Sequence, residues 1–528
     1  MDEAFVIGVD VGTTSARAGV YDTAGRMLGR SQHPIRINRP SPEHAEHSST
    51  DIWQAVGIAV RGAMAAAGVP AEAVRGISFD ATCSLVVLDA QGQPVDVSSG
   101  PEPGWDTIVW LDHRAVAEAE ACSRSGHRVL DFIGGVMSPE METPKLMWLK
   151  RHKPESWQRA GLFLDLADFL TFRASGSTAR SACTITCKWT YLAHETPGWQ
   201  QDFFAAMGVA DLVERGGLPA GASAIGSDLG ALLPEAAEAL GLTTAVRVGA
   251  GLIDAHAGAL GVLGALGREP AELDRHLGLI AGTSSCHMAL SREPRAVPGV
   301  WGPYLGAVLP GYWLNEGGQS VTGALLDHIL QLHSAGGAPD AALHARIVER
   351  IAALQAAEGP SFAAGLHVLP DFHGNRSPLA DPHATGVISG LTLDRSFDGL
   401  CRLYYRTAVG IVLGTRHIIE ALNAKGYRID TLHLTGGHVK NPLLVGLYAD
   451  GTGCRLVLPE TEDAVLLGTA MVAATAAGLH ADLPAACAAM APRGRERLPE
   501  PEAAARLARD YRAFLLMHEQ RRALDALA

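Results

Sequence analysis

A short glycine- and hydroxyl-rich turn between two apolar segments occurs twice in this chain, about half its length apart. The first copy is Gly12-Thr13-Thr14-Ser15, and the second is Gly282-Thr283-Ser284-Ser285. We call them the first turn and the second turn. Apolar residues typical of strands flank both, so each passage predicts a β-hairpin. The repeat predicts two similarly built domains, each of which contributes one hairpin.

Length and composition agree with a two-domain α/β protein. The chain has 528 residues, 47% of them hydrophobic but only 6% aromatic. This favours closely packed α/β layers over an aromatic-cored β-sandwich. Glycine, proline and charged residues cluster over residues 264–273. We therefore expect domains at residues 1–268 and 269–490, followed by a helical extension at residues 491–528.

Charge and hydropathy argue against several classes of partner. The formal charge of −13 disfavours nucleic acid or an anionic membrane as the main partner. Residues 1–7 begin with acidic side chains and a short apolar run, unlike a signal peptide. Residues 464–479 predict a buried helix that is too short to span a membrane. With eight cysteines and no CxxC pair, we expect reduced thiols in a cytoplasmic protein.

The first turn has the chemistry of an anion-binding site. Gly12 lets the backbone approach a ligand closely, and consecutive N–H groups and hydroxyls can bind phosphate oxygens. Asp10, at the end of the preceding strand, is suited to support Mg²⁺ through water. An ordinary hairpin turn is the alternative. If the second turn faces the first across a cleft between the domains, the two can bind one polyphosphate.

Two further motifs lie next to predicted helix starts. In one, a strand ends at Gly436-Gly437, and Asn441 caps a helix that begins with Pro442. In the other, a glycine-rich turn precedes Asp254, whose carboxylate can take a proton from a hydroxyl that attacks a phosphoryl group. A tight turn and a simple helix cap are the structural alternatives. His256 is interpreted as structural.

In this order and spacing, the four motifs resemble the FGGY family of carbohydrate kinases, within the actin-like ATPase superfamily, over residues 4–480. The resemblance implies an α/β protein with two actin-like (ribonuclease H-like) ATPase domains and with ATP and Mg²⁺ in the cleft between them. It implies that Asp254 is the general base and that Asp10 supports the metal. It assigns phosphate or nucleotide binding to Gly12, Thr13, Thr14, Ser15, Arg17, Gly282, Thr283, Ser284, Gln319, Gly436, Gly437 and Asn441.

Several segments resemble ribulokinases in particular. The resemblance assigns sugar binding to Ala81, Trp110, Lys188, Asp254 and Glu316. Lys188 lies in the segment 183–189, whose centre is interpreted as a strand. For Lys188, a solvent-facing strand position is the alternative, and for Trp110 a position in the core.

Residues 371–378 resemble a signature of the FGGY-domain-containing subgroup linked to D-ribulose phosphorylation. We therefore expect ATP-dependent phosphorylation of D-ribulose, with L-ribulose, xylulose or another polyol as alternative substrates. A nucleotide-dependent sugar sensor without turnover is the alternative of another class. The family resemblance also implies a homodimer. His373 is expected to order its loop rather than to bind a metal.

Overall fold

The structure, a computed structural model, describes residues 4–269 and 271–527. Two sets of predictions fall partly outside these ranges: the acidic start of the chain (residues 1–3) and one position of the predicted domain boundary (Pro270). The strands are, in chain order, β1 (Phe5–Val11), β2 (Ser15–Asp22), β3 (Met27–Pro34), β4 (Glu46–His47), β5 (Val74–Ala81), β6 (Leu85–Asp89), β7 (Thr107–Ile108), β8 (Ala160–Asp165), β9 (Asp228–Ala231), β10 (Arg247–Gly249), β11 (Leu252–Ile253), β12 (His276–Ala281), β13 (Ser285–Ser291), β14 (Trp301–Leu305), β15 (Trp313–Gln319), β16 (His367–Leu369), β17 (Val387–Ser389), β18 (Thr431–Thr435), β19 (Arg455–Pro459) and β20 (Gly494–Arg497).

The helices lie between these strands and after them. They are α1 (Ser49–Ala67), α2 (Val116–Arg124), α3 (Glu142–His152), α4 (Pro154–Arg159), α5 (Leu166–Ser175), α6 (Ala182–Lys188), α7 (Gln201–Ala206), α8 (Leu212–Arg215), α9 (Pro234–Leu240), α10 (Asp254–Leu263), α11 (Gly323–Leu332), α12 (Ala341–Glu358), α13 (Phe397–Asn423), α14 (Pro442–Thr452), α15 (Ala464–Ala476), α16 (Leu483–Met490) and α17 (Pro501–Asp525). No helix in the described part of the chain is long and apolar enough to cross a membrane.

Two large mixed sheets organise the molecule and share one plan. In the first sheet the order is β3-β2-β1-β5-β10-β9, and β11 also pairs with β5. In the second it is β14-β15-β13-β12-β18-β19-β20. In each, the hairpin strand before the turn is antiparallel to its partner and parallel to the next strand, β5 or β18. The predicted α/β fold with two similarly built halves is confirmed.

The central strands are apolar because helices cover both faces of the sheets. All seven residues of β1 are buried, which is the continuous pattern expected of a strand buried on both sides. Two smaller sheets, β4-β7-β6-β8 and β16-β17, complete the architecture.

Two helices cross between the sheets and hold the halves together. Helix α15 packs on β1 and β5 of the first sheet, and α10 packs against both α15 and β12 of the second. Their backbones approach closely because glycines face each other: a Cβ on Gly261 or Gly468 would meet the backbone of Ala464 or Ala257. Helix α10 is therefore fixed between the two sheets.

The C-terminal helix belongs to the core rather than to a detached tail. Leu507, Tyr511 and Phe514 of α17 are buried with residues of α13 and α14. The expected boundaries at residues 268 and 490 stay a prediction.

One local prediction was wrong. The segment around Lys188 is a helix, α6, and not a strand. Thr184, Ile185 and Thr186 are β-branched and favour strands locally, but the Ser181 hydroxyl caps the helix by accepting a hydrogen bond from the N–H of Cys183. The predicted buried helix at residues 464–479 is confirmed as α15.

Candidate active site

The two turns present matching sets of backbone donors. In the first turn, the N–H of Gly12 donates to the carbonyl of Ser15 at 3.1 Å, and in the second that of Gly282 donates to Ser284 at 2.8 Å. The four following N–H groups make no hydrogen bond with any described residue; they belong to Thr13, Thr14, Thr283 and Ser284. Each turn is therefore closed by its glycine and leaves two adjacent donors for an anion.

Three carboxylates meet at the carboxyl ends of neighbouring parallel strands in the first sheet. Asp10 of β1 is the register partner of Asp80 of β5. Leu252 of β11 pairs with Asp80 from the other side, and Asp254 follows two residues later as the first residue of α10. The fold, rather than the sequence spacing, brings these acids to one edge, directly behind the first turn.

Asp10 has the features of a metal-supporting carboxylate. Its side chain is buried, and neither oxygen has a hydrogen-bond partner among the described residues. Arg17 Nη2 lies 3.1 Å from Oδ2. Burial raises the pKa of Asp10 to about 7, although Arg17 acts in the opposite direction. Arg17 approaches only Oδ2, so Oδ1 of this buried carboxylate is left to support a bound cation.

The described part of the chain does not by itself supply a complete set of metal ligands. The described residues contain no group of three or more His, Cys, Asp or Glu side chains that could hold a metal ion. Mg²⁺ commonly keeps several waters and binds phosphate oxygens together with one or two carboxylates. The donor set around Asp10 therefore fits a magnesium–phosphate complex better than a resident metal ion.

Asp254 is not enclosed in a packed interior. It is partly exposed, and its Oδ1 accepts a hydrogen bond from the N–H of Ala255 at 2.7 Å. Burial raises the pKa of Asp254, while that N–H and the Arg17 charge oppose the shift. Its other oxygen makes no hydrogen bond within the described residues, which leaves one acceptor atom open to a ligand.

A second charged group surrounds Glu316 on β15. Lys188 Nζ lies 4.0 Å from Glu316 Oε2, and His256 Nε2 lies 3.0 Å from the same oxygen. Burial alone would raise the pKa of Glu316, but Lys188 and His256 together lower it. Burial acts to lower the pKa of Lys188, but the charges of Glu316, Cys83 and Glu140 together raise it. The pair therefore stays ionised inside the protein.

His256 supports this group from behind. Its Nδ1 lies 3.0 Å from Cys183 Sγ, and its side chain is fully buried. Burial acts to lower the pKa of His256, but Cys187 and Glu316 raise it to about 9. The imidazole thus holds the Glu316 carboxylate in place, while Asp254, two residues earlier on α10, is partly exposed.

Sequence reasoning missed three residues beside Lys188 and Glu316. The guanidinium carbon of Arg376 lies 4.0 Å from the centre of the Trp301 ring, as does Lys188 Nζ. Arg376 Nη2 also lies 3.4 Å from Glu140 Oε2. Residues 371–378 had been singled out as a subgroup signature, and that was the available signal for Arg376. No sequence signal pointed to Glu140 or Trp301.

The side chain of Trp110 contacts the first turn. Its indole Nε1 donates to the hydroxyl of Thr13 at 2.9 Å, and its ring is only partly buried. Ala81 is fully buried at the end of β5, where it pairs with Val11 and Ile253. Trp110 therefore keeps an open face, whereas Ala81 borders the site at the end of its strand.

The glycine pair 436–437 lies against the second turn. Gly436 has φ of 89°, and a Cβ there would meet the carbonyl of Ala281. His438 Nε2 lies 3.0 Å from the carbonyl oxygen of Gly282. This explains the glycine at 436, since both its conformation and its neighbours exclude a side chain.

Two predicted nucleotide residues use their side chains within the protein. Asn441 Oδ1 accepts from the N–H of Leu443 at 3.1 Å, and so caps α14 as predicted. Gln319 donates to the carbonyl of Ile411 at 3.0 Å and accepts from Thr415 at 3.1 Å. Their proposed contacts with a nucleotide stay predictions.

Comparison with known proteins defines the class. The model of the FGGY carbohydrate kinase N-terminal domain matches residues 5–261, and that of the C-terminal domain matches residues 277–477. The chain is a carbohydrate kinase, as predicted. It belongs to the FGGY family of carbohydrate kinases, whose members use ATP.

Individual relatives agree with this class. An FGGY carbohydrate kinase domain-containing protein from Danio rerio is 44% identical over 99% of this chain and 98% of its own length. A D-ribulokinase from Saccharomyces cerevisiae is 37% identical over 89% of this chain and 72% of its own length. A crystal structure of ligand-bound xylulose kinase from Lactobacillus acidophilus has a TM-score of 0.81 at 20% identity and covers 99% of both chains, which confirms the fold.

Proposed function

We propose that this kinase transfers the γ-phosphoryl group of ATP to the primary 5-hydroxyl of D-ribulose, with Asp254 as the general base. One observation carries the proposal: the partly exposed Asp254 begins α10 at the sheet edge that also carries Asp10, the ion-pair partner of Arg17, and lies two residues before His256, which contacts Glu316. A base in that position can serve an alcohol bound on one side and a phosphoryl group bound on the other.

Asp254 would accept the proton of the attacking hydroxyl. The N–H of Ala255 holds one of its oxygens at 2.7 Å, which fixes the orientation of the carboxylate. Its raised pKa makes it a better proton acceptor than an ordinary exposed aspartate. Deprotonation in place lets the alcohol oxygen attack in line with the leaving group.

The two turns would hold the phosphates from opposite sides. Four N–H groups of the chain, on Thr13, Thr14, Thr283 and Ser284, are free to donate to phosphate oxygens. Fixed donors of this kind stabilise charge that develops on the equatorial oxygens. When bound, Mg²⁺-ATP supplies the phosphoryl group and neutralises part of its charge; Asp10 is the residue suited to support the metal.

The sugar would lie against Trp110, Lys188 and Glu316. One cation and one carboxylate, both buried, can donate to and accept from neighbouring hydroxyls, and a substrate that lacks one hydroxyl would leave a buried group unpaired. The D-ribulokinase from Saccharomyces cerevisiae, 37% identical, supports D-ribulose. Xylulose kinases of the same fold keep xylulose as the second candidate.

A screen for ADP release tests the substrate. The purified protein is incubated with ATP, Mg²⁺ and one sugar at a time: D-ribulose, L-ribulose, D-xylulose, L-xylulose, ribitol or glycerol. We expect the highest kcat/KM with D-ribulose and a product phosphorylated at O5 by NMR. A higher kcat/KM with another sugar would replace the substrate, and calorimetric binding of sugar and ATP without ADP release would indicate a sensor.

A homodimer is proposed from the family resemblance. Analytical ultracentrifugation tests it, with a dimer mass as the expected result and a monomer mass over the micromolar range as the contrary one.

A further inference from the structure

We propose that Arg376 is a specificity-determining residue which, together with Lys188, binds the carbonyl oxygen of an open-chain ketose and so selects ketoses over the corresponding alditols. The inference rests on the proposed function and concerns a residue outside its assigned substrate contacts.

The fold brings Arg376 into the sugar site from the second half of the chain. Trp301 and Glu316 are register partners on β14 and β15, and the guanidinium of Arg376 lies 4.0 Å from the Trp301 ring. Gly318 leaves space for it, because a Cβ at that position would lie 2.6 Å from Arg376 Cδ. The side chain is only 14% exposed. Its position is therefore built by several neighbours and is not that of a free surface arginine.

The donors of Arg376 and Lys188 are largely unused. Of the three guanidinium nitrogens, only Nη2 has acceptors among the described residues, and these are distant: Glu140 at 3.4 Å and Glu316 at 3.5 Å. The nearest carboxylate oxygen to Lys188 Nζ is that of Glu316 at 4.0 Å, which is beyond hydrogen-bond range. None of these nitrogens is among the fully enclosed polar atoms that lack a partner in the described residues, so water or a ligand can reach them. Their unused N–H groups are therefore available to an acceptor that a ligand supplies.

The chemistry of these donors selects the type of acceptor. Arginine and lysine side chains donate and never accept. A carbonyl oxygen only accepts, so it can use two such donors fully. A hydroxyl in the same place can accept as well, but its own proton then needs an acceptor. A ketose thus satisfies Arg376 and Lys188 better than an alditol.

The local charge favours a neutral ligand. The cations Lys188 and Arg376 are balanced by the carboxylates of Glu316 and Glu140, which lie within 4.0 Å of them. The charge of His256, behind Glu316, is opposed by Cys187, which is the first charge that raises its pKa. A sugar acid would add an uncompensated negative charge to a buried site, which is unfavourable. The site therefore matches a neutral keto-sugar.

The test compares a ketose and its alditol on matched variants. We measure kcat/KM for D-ribulose and for ribitol on the wild type, Arg376→Gln and Arg376→Lys. The ratio of the two values is expected to fall about 10- to 100-fold in Arg376→Gln, mainly through the ketose, because one charge-assisted hydrogen bond is lost. Arg376→Lys should recover part of the ratio, and the KM for ATP should stay unchanged in both.

The matched control is Arg350→Gln. Arg350 is an exposed residue of α12 that pairs with Asp398 at 2.6 Å and contacts none of the proposed sugar-binding side chains, so this variant should keep the wild-type ratio. Thermal unfolding and nucleotide binding show that each variant is folded.

The role of Arg376 would be overturned if the ratio of the two kcat/KM values stays unchanged in Arg376→Gln. This includes the case in which both sugars lose kcat/KM equally in Arg376→Gln and in Arg376→Lys. If the wild type phosphorylates no sugar at all, the proposed function itself fails. An active wild type whose ratio does not respond to Arg376 rejects only the inference.

Discussion

The first and second turns have nearly the same backbone but very different surroundings. Both connect antiparallel strands, both are closed by a glycine N–H, and both leave two adjacent N–H groups free. Four residues separate the paired Val11 and Ala16 of the first hairpin, and three separate Ala281 and Ser285 of the second. The turns are thus two versions of one backbone arrangement with donors available to an anion.

The side chains behind the turns differ at equivalent register positions. The last paired residues before the turns are Val11 with Ala16 and Ala281 with Ser285. One position further from the turn, Asp10 pairs with Arg17 in the first hairpin, and Ile280 pairs with Cys286 in the second. On the neighbouring parallel strand, Asp80 stands beside Asp10, whereas Thr435 stands beside Ile280. The charged groups are therefore concentrated behind the first turn alone.

This difference indicates a division of tasks. The first turn lies beside the acids that would serve the metal and the proton transfer. The second lies against Gly436 and His438, whose segment would receive the adenosine. The two turns would thus bind the same ligand, but only the first has carboxylates at the compared register positions.

Removal of the proposed base should have the largest effect. In Asp254→Asn we expect kcat to fall about 10²- to 10⁴-fold, because the amide cannot accept the hydroxyl proton. Nucleotide affinity, measured by calorimetry, should stay within a few-fold of the wild type, since the turns are intact. Near-normal turnover would refute the assignment of Asp254.

The next largest effect should follow from Asp10. We expect Asp10→Asn to lower kcat/KM about 10²-fold and to raise the Mg²⁺ concentration needed for half-maximal rate, because a charged support for the metal is lost. Ile280→Leu, at the equivalent position of the second hairpin, is the matched control and should leave the Mg²⁺ requirement unchanged. An equal Mg²⁺ response in both variants would remove the asymmetry between the hairpins.

The pH profile should report the base. Burial raises the pKa of Asp254 above its ordinary value of 3.8, and the base works only when deprotonated. We therefore expect kcat/KM to rise with pH through the raised pKa and to fall about tenfold per pH unit below it. In Asp254→Asn the remaining activity should lose this acid limb; a limb that persists would belong to another group.

A smaller effect should separate the two glycines beside the second turn. Gly436→Ala places a Cβ against Ala281 in a backbone conformation that disfavours it, so the free energy of unfolding should fall by about 1–3 kcal/mol. The KM for ATP should rise as the segment shifts. In Gly437→Ala the nearest atom to the new Cβ lies 3.9 Å away, so thermal unfolding should stay close to that of the wild type. Equal destabilisation would contradict the geometry.

The smallest effect should distinguish the two threonines that follow Gly12 and Gly282. Thr13→Ala removes the hydrogen bond from Trp110 Nε1, and we expect the KM for the sugar to rise about 3- to 10-fold. The hydroxyl of Thr283 accepts no such hydrogen bond within the described residues, so Thr283→Ala should leave the KM for the sugar unchanged. Steady-state kinetics at saturating ATP measures both values. A larger rise of the sugar KM in Thr283→Ala than in Thr13→Ala would contradict a contact between Trp110 and the sugar.

The local features of the fold could be predicted from the sequence. Each of these features depends on residues that are close in sequence, so the sequence pattern predicts it: the two hairpins, the cap at Asn441 and the buried helix α15. The strand prediction for the segment of α6 was wrong because its β-branched residues favour a strand, whereas the cap at Ser181 favours a helix. Tertiary packing selected the helix.

Long-range contacts were beyond a single sequence. The meeting of Asp10, Asp80 and Asp254 depends on the order of the strands in the first sheet. Likewise, Arg376 and Glu140 are joined only by the fold, 236 positions apart. The residue types indicated which side chains could bind a ligand or transfer a proton. Which of these side chains lie together depends on the fold.

A crystal structure of Asp254→Asn with a non-hydrolysable ATP analogue and D-ribulose tests the central claim most directly. The account predicts that the N–H groups of both turns contact the same triphosphate, and that a primary hydroxyl of the sugar lies about 3 Å from residue 254. A triphosphate bound by one turn alone, or a sugar whose hydroxyls all lie away from residue 254, would contradict it.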